Sequence, residues 1–444
     1  MKDGRRVPRT LVISHNVFSR STNMGKTLDT YFAGWDRDAL AQLYFHSQVP
    51  VDPVCVNYFR MTDPDALRSI VLRRHRGEEL GEKDVRPERA DPADTGSLAG
   101  VYNYGRNRTP LIYLLRDGIW ALSGWKHSGM AEWAERFRPE VILLASGDYA
   151  FPYRITMYLA RKLGIPYVVC CYDDYYLFTS NENRFLGRFR QERFMKTVRK
   201  TMAGAAKILA LNDSMAEAYG KLFGKACGVL YTAAAEAPEA EAEAEKEGIV
   251  YLGGLGLNRD LQLMEMADLL REAAGPGVPA QIDVYSGEKD PARVARLKAY
   301  PGIRFLGSVP GDKVPGIIRS HRAVIHTESF DPVIRERVRY SLSTKIPECI
   351  ASGTCLLAYG PADVASIAYL RKNDAAFTAS SPEELKAAMR ELFGNPERYR
   401  AVEANARALA RRNHDGEKIR EYVRNVLAEA AGNAPGKNGE TGKD

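Results

Sequence analysis

The chain contains 444 residues, which is too long for one hydrophobic core and favours two domains. Hydrophobic residues make up 45% and charged residues 27% of the sequence, and no run of eighteen apolar residues occurs, so we expect no membrane-spanning helix. The net charge is +7, of which residues 1–232 carry +9 and the remainder −2, so the first half favours an anionic partner such as a membrane surface or a phosphorylated acceptor. Nucleic acid is not expected, because no recognisable binding module accompanies the charge.

The six cysteines show neither a CxxC pair nor the spacing of a disulfide framework. Most of them fall in apolar segments, so we expect reduced thiols in a cytoplasmic protein. The basic amino terminus leads directly into an apolar strand, and no signal peptide is expected.

The first strand is followed by a polar stretch in which residues 21–25 predict a turn and residues from Lys26 onward predict an amphipathic helix. Gly25, Lys26 and the threonine after them match the end of a P-loop, but that motif needs a glycine at position 20, which is Arg20. We therefore reject a P-loop. Gly25 and Lys26 are candidates for binding a phosphate or an acceptor group, and a plain strand-to-helix turn is the alternative interpretation.

Residues 130–231 alternate between helical patterns and almost continuous apolar strands, which predicts a parallel sheet covered on both faces. Asp148 follows one of these strands, and Asp173 and Asp174 follow the next. Because parallel α/β sheets place reactive groups at the carboxyl ends of their strands, the three aspartates are candidate catalytic residues. Each of them is also compatible with a loop cap.

Residues 233–247 form an acidic, low-complexity segment without an apolar face, which predicts a linker. The alternation of strands and helices then restarts, and residues 431–444 are predicted to be a disordered tail. The sequence therefore predicts an α/β protein with two Rossmann-like, doubly wound parallel-sheet domains, 1–232 and 248–430, that face each other across a cleft.

The stretch 340–361 predicts a polar turn, a helix of about two turns from Lys345, a stop at Gly353 and a strand at 355–359. Helix N–H groups beside the Lys345 cation suit a diphosphate, and Glu348, one turn further on, suits a pair of sugar hydroxyls. An ordinary αβ unit with a solvated lysine and glutamate fits the same spacing.

The two halves, the string STKIPE and the ASG that follows it resemble the GT-B glycosyltransferases with an E-x7-E element, the retaining nucleotide-sugar enzymes of the family 4 type. The resemblance covers about residues 10 to 430 and is greatest to bacterial enzymes that assemble capsule, exopolysaccharide or O-antigen chains. It implies a nucleotide-sugar donor in the second domain, an acceptor in the first, and no metal or other cofactor.

In that family the second glutamate of the element binds the nucleotide ribose, a role that falls on Glu348. The first glutamate falls on Tyr340, and this departure removes a carboxylate expected at the donor sugar. Glu328 is a candidate substitute, or else an exposed acid at a strand end. The resemblance places the following residues of the turn along the donor diphosphate: Ser341, Ser343, Thr344 and Lys345.

The resemblance also implies an arginine contact to the diphosphate after the first strand of the second domain. Here Gly254 permits close approach of the backbone, and Asn258 and Arg259 open the next helix. Since a guanidinium binds two phosphate oxygens at once, Arg259 is the main predicted phosphate ligand, with Lys345 replacing the later lysine of the family. The alternative is an arginine that caps or pairs on a surface helix.

Family members often carry a histidine near the position of Asp173, and this chain has none there. Our order of preference for the group that stabilises the transition state or accepts the acceptor proton is Asp173, Asp174, Asp148. Adjacent aspartates also occur in metal sites, but consecutive residues at a strand end tend to point apart, so no metal is predicted.

Residues 184–200 hold seven basic residues among large apolar ones. This pattern fits an interfacial helix on anionic lipid, where polyprenyl-linked acceptors reside, and it also fits a scaffold helix with a basic outer face. We expect a cytoplasmic protein, either free or peripheral at the inner face of the membrane.

The sequence therefore predicts a hexosyl-type glycosyltransferase that moves a sugar from a nucleotide diphosphate sugar to a glycan or lipid-linked acceptor in surface polysaccharide synthesis. One alternative is a nucleotide-sugar 2-epimerase with the same two domains. The other is a catalytically silent nucleotide-sugar-binding component of a polysaccharide assembly complex, an alternative that the Tyr340 departure keeps open.

Overall fold

The computed structural model describes residues 7–19, 23–51, 54–72, 77–86, 109–178, 184–234, 246–273, 279 and 281–432. These residues form two compact units, one comprising the chain up to Leu230 and from Glu417 onward, and the other comprising Tyr231–Gly416. Most of the expected linker (235–245) and of the expected tail (433–444) lies outside the described residues.

The sheet of the first unit has eight strands among its described residues, in the order β4-β3-β2-β1-β5-β6-β7-β8. All neighbouring pairs are parallel except β3 and β4, which are antiparallel. The strands are β1 (Thr10–Ser14), β2 (Leu40–Tyr44), β3 (Asn57–Arg60), β4 (Glu78–Leu80), β5 (Val141–Ala145), β6 (Tyr167–Cys171), β7 (Lys207–Ala210) and β8 (Cys227–Val229).

Seven helices precede the second unit within the described ranges of the first. They are α1 (Asn23–Phe32), α2 (Asp63–Val71), α3 (Pro110–Leu122), α4 (Met130–Phe137), α5 (Ala150–Leu163), α6 (Arg184–Gly204) and α7 (Asp213–Phe223). Helix α1 begins at Asn23, so the prediction that residues 21–25 form a turn and that the helix starts at Lys26 is wrong at its boundary.

The sheet of the second unit has six described strands, all parallel, in the order β11-β10-β9-β12-β13-β14. This is the Rossmann order 3-2-1-4-5-6, in which the chain reverses its direction of growth between β9 and β12. The strands are β9 (Ile249–Leu252), β10 (Ile282–Tyr285), β11 (Ile303–Gly307), β12 (Ala323–Thr327), β13 (Cys355–Tyr359) and β14 (Phe377–Ala379).

Helices cover both faces of the second sheet. They are α8 (Arg259–Glu272), α9 (Pro291–Ala299), α10 (Val314–Ser320), α11 (Pro332–Val338), α12 (Ile346–Ala351), α13 (Ala365–Lys372), α14 (Pro382–Gly394) and α15 (Pro396–Asn413). Since alternate strand residues point to opposite faces, Ile249 and Tyr251 pack with α8, α9 and α14, whereas Val250 packs with α10, α12 and α13. Burial of each such aliphatic side chain contributes about 1.5–3 kcal/mol.

The last helix, α16 (Gly416–Ala430), belongs with the first unit from Glu417 onward, whereas the sequence assigned residues up to 430 to the second domain. The Tyr422 hydroxyl of this helix packs against Gly228 in β8, because a Cβ added to that glycine would lie only 2.6 Å from the hydroxyl oxygen. The apolar side chains of Ile419, Val423 and Leu427 form a stripe that is buried and so removed from water. A helix with this stripe fits either unit, so its pattern alone does not indicate where it packs.

All six cysteines are free thiols, and all but Cys227 are buried. No helix in the described part of the chain combines the length and apolar character needed to cross a bilayer.

Candidate functional site

The second sheet changes its direction of growth between β9 and β12, and the segment after β9 comes close to another part of the chain there. A Cβ on Gly253 would lie in the space that the ammonium of Lys345 occupies, so the glycine lets this lysine reach the end of β9. Leu257 and Asn258 both have left-handed backbone angles, with φ of 62° and 58°. Left-handed backbone costs a leucine about 1–2 kcal/mol, and strain of this kind concentrates at functional sites.

Lys345 reaches from the turn before α12 to the end of β9. Its Nζ donates to the carbonyl oxygen of Leu252 at 2.7 Å and lies 5.9 Å from the centre of the Tyr251 ring. Two causes lower the pKa of Lys345: the larger is desolvation by the surrounding protein, and the second is the positive charge of Arg259. The two predicted cations therefore lie close enough to repel each other, an arrangement that a bound anion would relieve.

Arg259 is the first residue of α8. Its side chain reaches from the end of β9 to the end of β12, across the place where the strand order reverses, which we call the switch point of the sheet. Its Nε donates to the carbonyl oxygen of Thr327 at 3.3 Å, and its Nη2 lies 3.1 Å from a carboxylate oxygen of Glu328. The Glu328 side chain is only 4% exposed, so the interpretation of this residue as an exposed strand-end acid is wrong. Glu328 directly follows β12, and its N–H donates to Tyr359 at the end of β13.

His326 is a residue of this site that the sequence analysis missed. Its Nε2 lies 3.5 Å from the second carboxylate oxygen of Glu328, and burial lowers its pKa to about 4. The imidazole is therefore neutral near pH 7. The available signal was its position two residues before Glu328, since side chains two apart along an extended segment share a face.

Two buried hydroxyls lie at the same edge of the sheet, Ser286 after β10 and Thr327 at the end of β12. Neither hydroxyl oxygen has a hydrogen-bond partner among the described residues. A buried polar group without a partner costs about 1–3 kcal/mol, so such groups mark places where a ligand or water completes the bonding. Ser286, Thr327, Arg259 and Lys345 follow or contact three neighbouring strands, β10, β9 and β12.

The turn 341–345 is attached to α13 through one serine. The hydroxyl of Ser366 accepts from the N–H of Ser343 at 3.2 Å and donates to the carbonyl of Ser341 at 3.1 Å. Thr344 is exposed and Glu348 is half-buried within α12. These residues keep their predicted order along the chain, and the roles assigned to them stay predictions.

The tip of α12 offers fewer N–H groups than the sequence analysis expected. The N–H of Ile346 donates to the carbonyl of Ser343 at 3.1 Å, and Pro347 has no N–H. Helix α12 also has only six residues, so its dipole is short. The charge available for an anion at this place therefore comes mainly from Lys345 and Arg259.

The first sheet reverses its direction of growth between β1 and β5, and Asp148 lies just beyond β5. One carboxylate oxygen of Asp148 accepts from the Tyr113 hydroxyl, and its carbonyl accepts from Arg190. The Arg190 guanidinium lies 4.0 Å from the centre of the Tyr113 ring. Asp148 is thus half-buried and fixed by α3 and α6.

Asp173 and Asp174, one strand further along, differ from each other. Asp174 is buried, and its carboxylate accepts from three successive N–H groups, those of residues 176–178, and from the Tyr219 hydroxyl at 2.9 Å. These bonds organise the loop after β6, as expected of a loop cap. Asp173 is exposed, and its carboxylate accepts from the N–H of Asp174 at 2.9 Å.

Three rings meet at the switch point of the first sheet. His15 follows β1, His46 follows β2 and Tyr149 follows β5; the His15 ring centre lies 5.8 Å from that of His46 and 6.1 Å from that of Tyr149. The sequence analysis did not select either histidine. The available signal was that a histidine stands just beyond each of two apolar strands. The first of these strands also precedes the candidate Gly25 turn.

Gly25 is buried inside α1, and a Cβ there would overlap the carbonyl oxygen of Val17. The glycine therefore permits the helix to pack against the chain after β1, and the idea of a turn that presents its N–H groups is replaced by this packing role. Lys26 is exposed and stays a candidate on the acceptor side. Across the described ranges, no group of three or more His, Cys, Asp or Glu side chains is arranged to hold a metal ion.

The sequence matches the family model described as glycosyl transferase-like over residues 265–424. No curated protein sequence matches the chain. Among solved structures, HepE of Anabaena in complex with UDP superposes with a TM-score of 0.59 at 12% identity, over 95% of this chain and 99% of HepE. The fold is GT-B.

Two further GT-B structures agree with this assignment. Trehalose 6-phosphate synthase from Burkholderia multivorans has a TM-score of 0.58 at 12% identity, over 96% of this chain and 98% of its own. Sucrose-phosphate synthase from Thermosynechococcus elongatus has a TM-score of 0.57 at 11% identity, over 93% of this chain and 96% of its own. The predicted α/β class with two Rossmann-like parallel sheets is confirmed.

Proposed function

We propose that the protein is a glycosyltransferase that transfers a hexosyl group from a nucleotide diphosphate sugar to a glycan or lipid-linked acceptor in surface polysaccharide synthesis. The observation that carries this proposal is the pair of cations, Arg259 and Lys345, beside buried hydroxyls without partners at the switch point of the second sheet. Ligands of open α/β sheets bind at that place. The glycosyl transferase-like match over 265–424 supports the same reading.

A uridine nucleotide is the proposed donor. HepE, whose fold this chain shares, was solved with UDP and with UDP-glucose, and those ligands belong to that protein. In this chain the diphosphate would lie between Arg259 and Lys345, and Glu348 would bind the ribose.

In the proposed reaction the bond between the anomeric carbon and the β-phosphate oxygen breaks, and its electron pair stays on the nucleoside diphosphate. The acceptor hydroxyl oxygen bonds to the anomeric carbon and loses its proton. Negative charge thus grows on the diphosphate, where Arg259 and Lys345 stabilise it. The proposed outcome is retention, and no metal ion is required, since the two side chains supply the positive charge.

Glu328 has a positioning role in this proposal. It is buried, and its carboxylate keeps the Arg259 guanidinium oriented across the switch point. It also replaces the first glutamate of the family element, at whose position this chain has Tyr340. On the acceptor side, Asp173, with its exposed carboxylate, and Asp148, whose carboxylate accepts from the Tyr113 hydroxyl, are the proposed groups for handling the acceptor proton.

The test is the release of nucleoside diphosphate from UDP-, GDP- and dTDP-sugars, measured with and without a glycan acceptor. We expect release from a UDP-sugar that accelerates with acceptor and falls in Lys345→Gln, while Arg271→Gln, an exposed ion-paired position on α8, behaves as wild type. Conversion of the sugar to its C2 epimer without release, or no binding of any of these nucleotides, would contradict the proposal.

A further inference from the structure

The first unit exposes large apolar side chains on three helices, α2, α3 and α6. On α3 these residues recur at spacings of four and seven, so they share one face of that helix. The exposed large apolar residues of the described first unit are Leu67, Val71, Leu72, Leu111, Leu115, Leu122, Phe185 and Phe189. We name this set, with the helices that carry it, the α2–α3–α6 layer.

The three helices form a continuous layer in which α3 contacts both of the others. A carboxylate oxygen of Asp63, on α2, accepts from Arg116 at 2.9 Å and from the Trp120 indole at 2.7 Å, both on α3. On the other side of α3, the Arg190 guanidinium of α6 covers the Tyr113 ring at 4.0 Å. Exposed Leu111 precedes Tyr113 by two residues, and exposed Phe189 directly precedes Arg190. Apolar residues of α3 and α6 therefore flank this contact.

Helix α6 divides its two faces by polarity. Its inner face buries apolar side chains, among them Phe194, Met195 and Val198, which confirms that part of the helix is scaffold. Its exposed face carries two phenylalanines at the amino end, five basic residues and one acid. In order, this face consists of Phe185, Arg188, Phe189, Glu192, Arg193, Lys196, Arg199 and Lys200.

We infer that the α2–α3–α6 layer docks on the surface of an anionic lipid bilayer. Phe185 is 80% exposed, and exposed aromatic and leucine side chains gain free energy by entering the acyl boundary. The basic residues beside them match the negative headgroups, and the long stems of arginine and lysine let the charges stay in the headgroup region. This inference deepens the proposed function, on which it rests for the lipid-linked acceptor that the docked enzyme would reach.

Charge favours lipid over a second copy of the chain. A symmetric dimer with its two-fold axis at α6 would place the five basic residues of one α6 near those of its partner, with only Glu192 to offset them. Like charges facing each other across an interface oppose association. A bilayer rich in acidic lipid supplies the opposite charge along the exposed face of α6.

The experiment is flotation of the full-length protein with vesicles of phosphatidylcholine alone and of phosphatidylcholine mixed with phosphatidylglycerol, at low and high salt. We expect binding to the mixed vesicles that salt weakens. The triple variant Arg188→Gln, Arg193→Gln, Lys196→Gln should lose roughly fivefold in partition per charge removed. The double variant Phe185→Ser, Phe189→Ser should also lose binding.

The matched control removes three exposed lysines of the second unit, Lys289→Gln, Lys298→Gln and Lys313→Gln, with the same change in net charge. This control should bind as wild type, and equal losses in both triple variants would overturn the inference. So would the absence of wild-type binding, or a dimer in sedimentation that the phenylalanine variant dissociates. UDP binding measured on the same samples distinguishes the two proposals, because loss of lipid binding with intact UDP binding leaves the donor site standing.

Discussion

The side chains at the carboxyl ends of the strands differ between the two sheets. In the second unit two cations, Arg259 and Lys345, converge at the switch point, and buried hydroxyls there have no described partner. In the first unit the equivalent place holds rings and a carboxylate that already bond or pack with their neighbours, such as His15, Tyr149 and Asp148. The comparison indicates that the second unit, with its concentrated positive charge, suits an anionic ligand. The first unit, with its polar rings, suits a neutral hydroxyl acceptor.

The largest expected effect is on the cationic side of this comparison. Arg259→Gln should lower kcat/KM by roughly 10²–10³, because one donor to the developing diphosphate charge is lost. Arg271→Gln, on the same helix but exposed, is the control. Rates from UDP release check both, and equal rates for Arg259→Gln and wild type would remove the arginine from the mechanism.

Acid should weaken the second unit through two buried histidines. Burial lowers the pKa of His326 and of His414 from 6.5 to about 4. Between pH 6.5 and pH 4 the unfolded chain binds protons at these sites that the folded chain does not, so stability falls as the pH is lowered through this window, by up to about 3 kcal/mol for each histidine.

Urea unfolding at several pH values measures this loss by circular dichroism. His414→Gln should flatten the pH dependence by about half, since one of two such groups is removed. His127→Gln, at an exposed position of the first unit, should leave it unchanged. An unchanged slope in His414→Gln would contradict the assignment of a neutral histidine at that position.

On the acceptor side, His15→Ala should lower kcat by up to about 10²-fold, the cost of a small misplacement of a catalytic group, because its ring packs on Tyr149, the residue after the proposed proton acceptor Asp148. The affinity for UDP should not change. His15 contacts the rings of His46 and Tyr149 at the switch point of the first sheet. His127→Ala serves as an exposed control. A matching loss of UDP affinity in His15→Ala would show that the two units do not divide the work in this way.

The smallest effect separates the two neighbouring aspartates. Asp174→Ala should cost about 2 kcal/mol of stability, because a buried carboxylate that accepts four hydrogen bonds is lost. Asp173→Ala, whose side chain is exposed, should cost less than about 0.5 kcal/mol. Tryptophan fluorescence reports this unit alone, since all four tryptophans lie in it, and equal costs would deny the loop-cap role.

The sequence predicted those features that depend on local pattern. The strand at 355–359 has its predicted bounds, and Gly353 adopts a left-handed backbone with φ of 76° just after α12, which explains the predicted stop. Apolar strands separated by helices were enough to predict the parallel sheets, whereas the GT-B class was implied by the resemblance that the string STKIPE carries.

The features that the sequence analysis missed depend on contacts distant in the chain. The burial of Glu328 follows from its bond to Arg259, 69 residues away. The return of α16 to the first unit likewise depends on tertiary contacts. The approach of Lys345 to Leu252, 93 residues away, agrees with the resemblance and was not indicated by local pattern. Periodicity reports which face of an element is apolar, and it does not report which partner covers that face.

The most direct test is calorimetric titration of the wild type and of the double variant Arg259→Gln, Lys345→Gln with UDP and with uridine. If the two cations bind the diphosphate, the wild type should bind UDP at least roughly 100-fold more tightly than uridine, since each charge-assisted contact contributes about 1.5–3 kcal/mol. In the double variant that preference should largely disappear. A wild type that binds both ligands equally, or a double variant that keeps the full preference for UDP, would contradict the account.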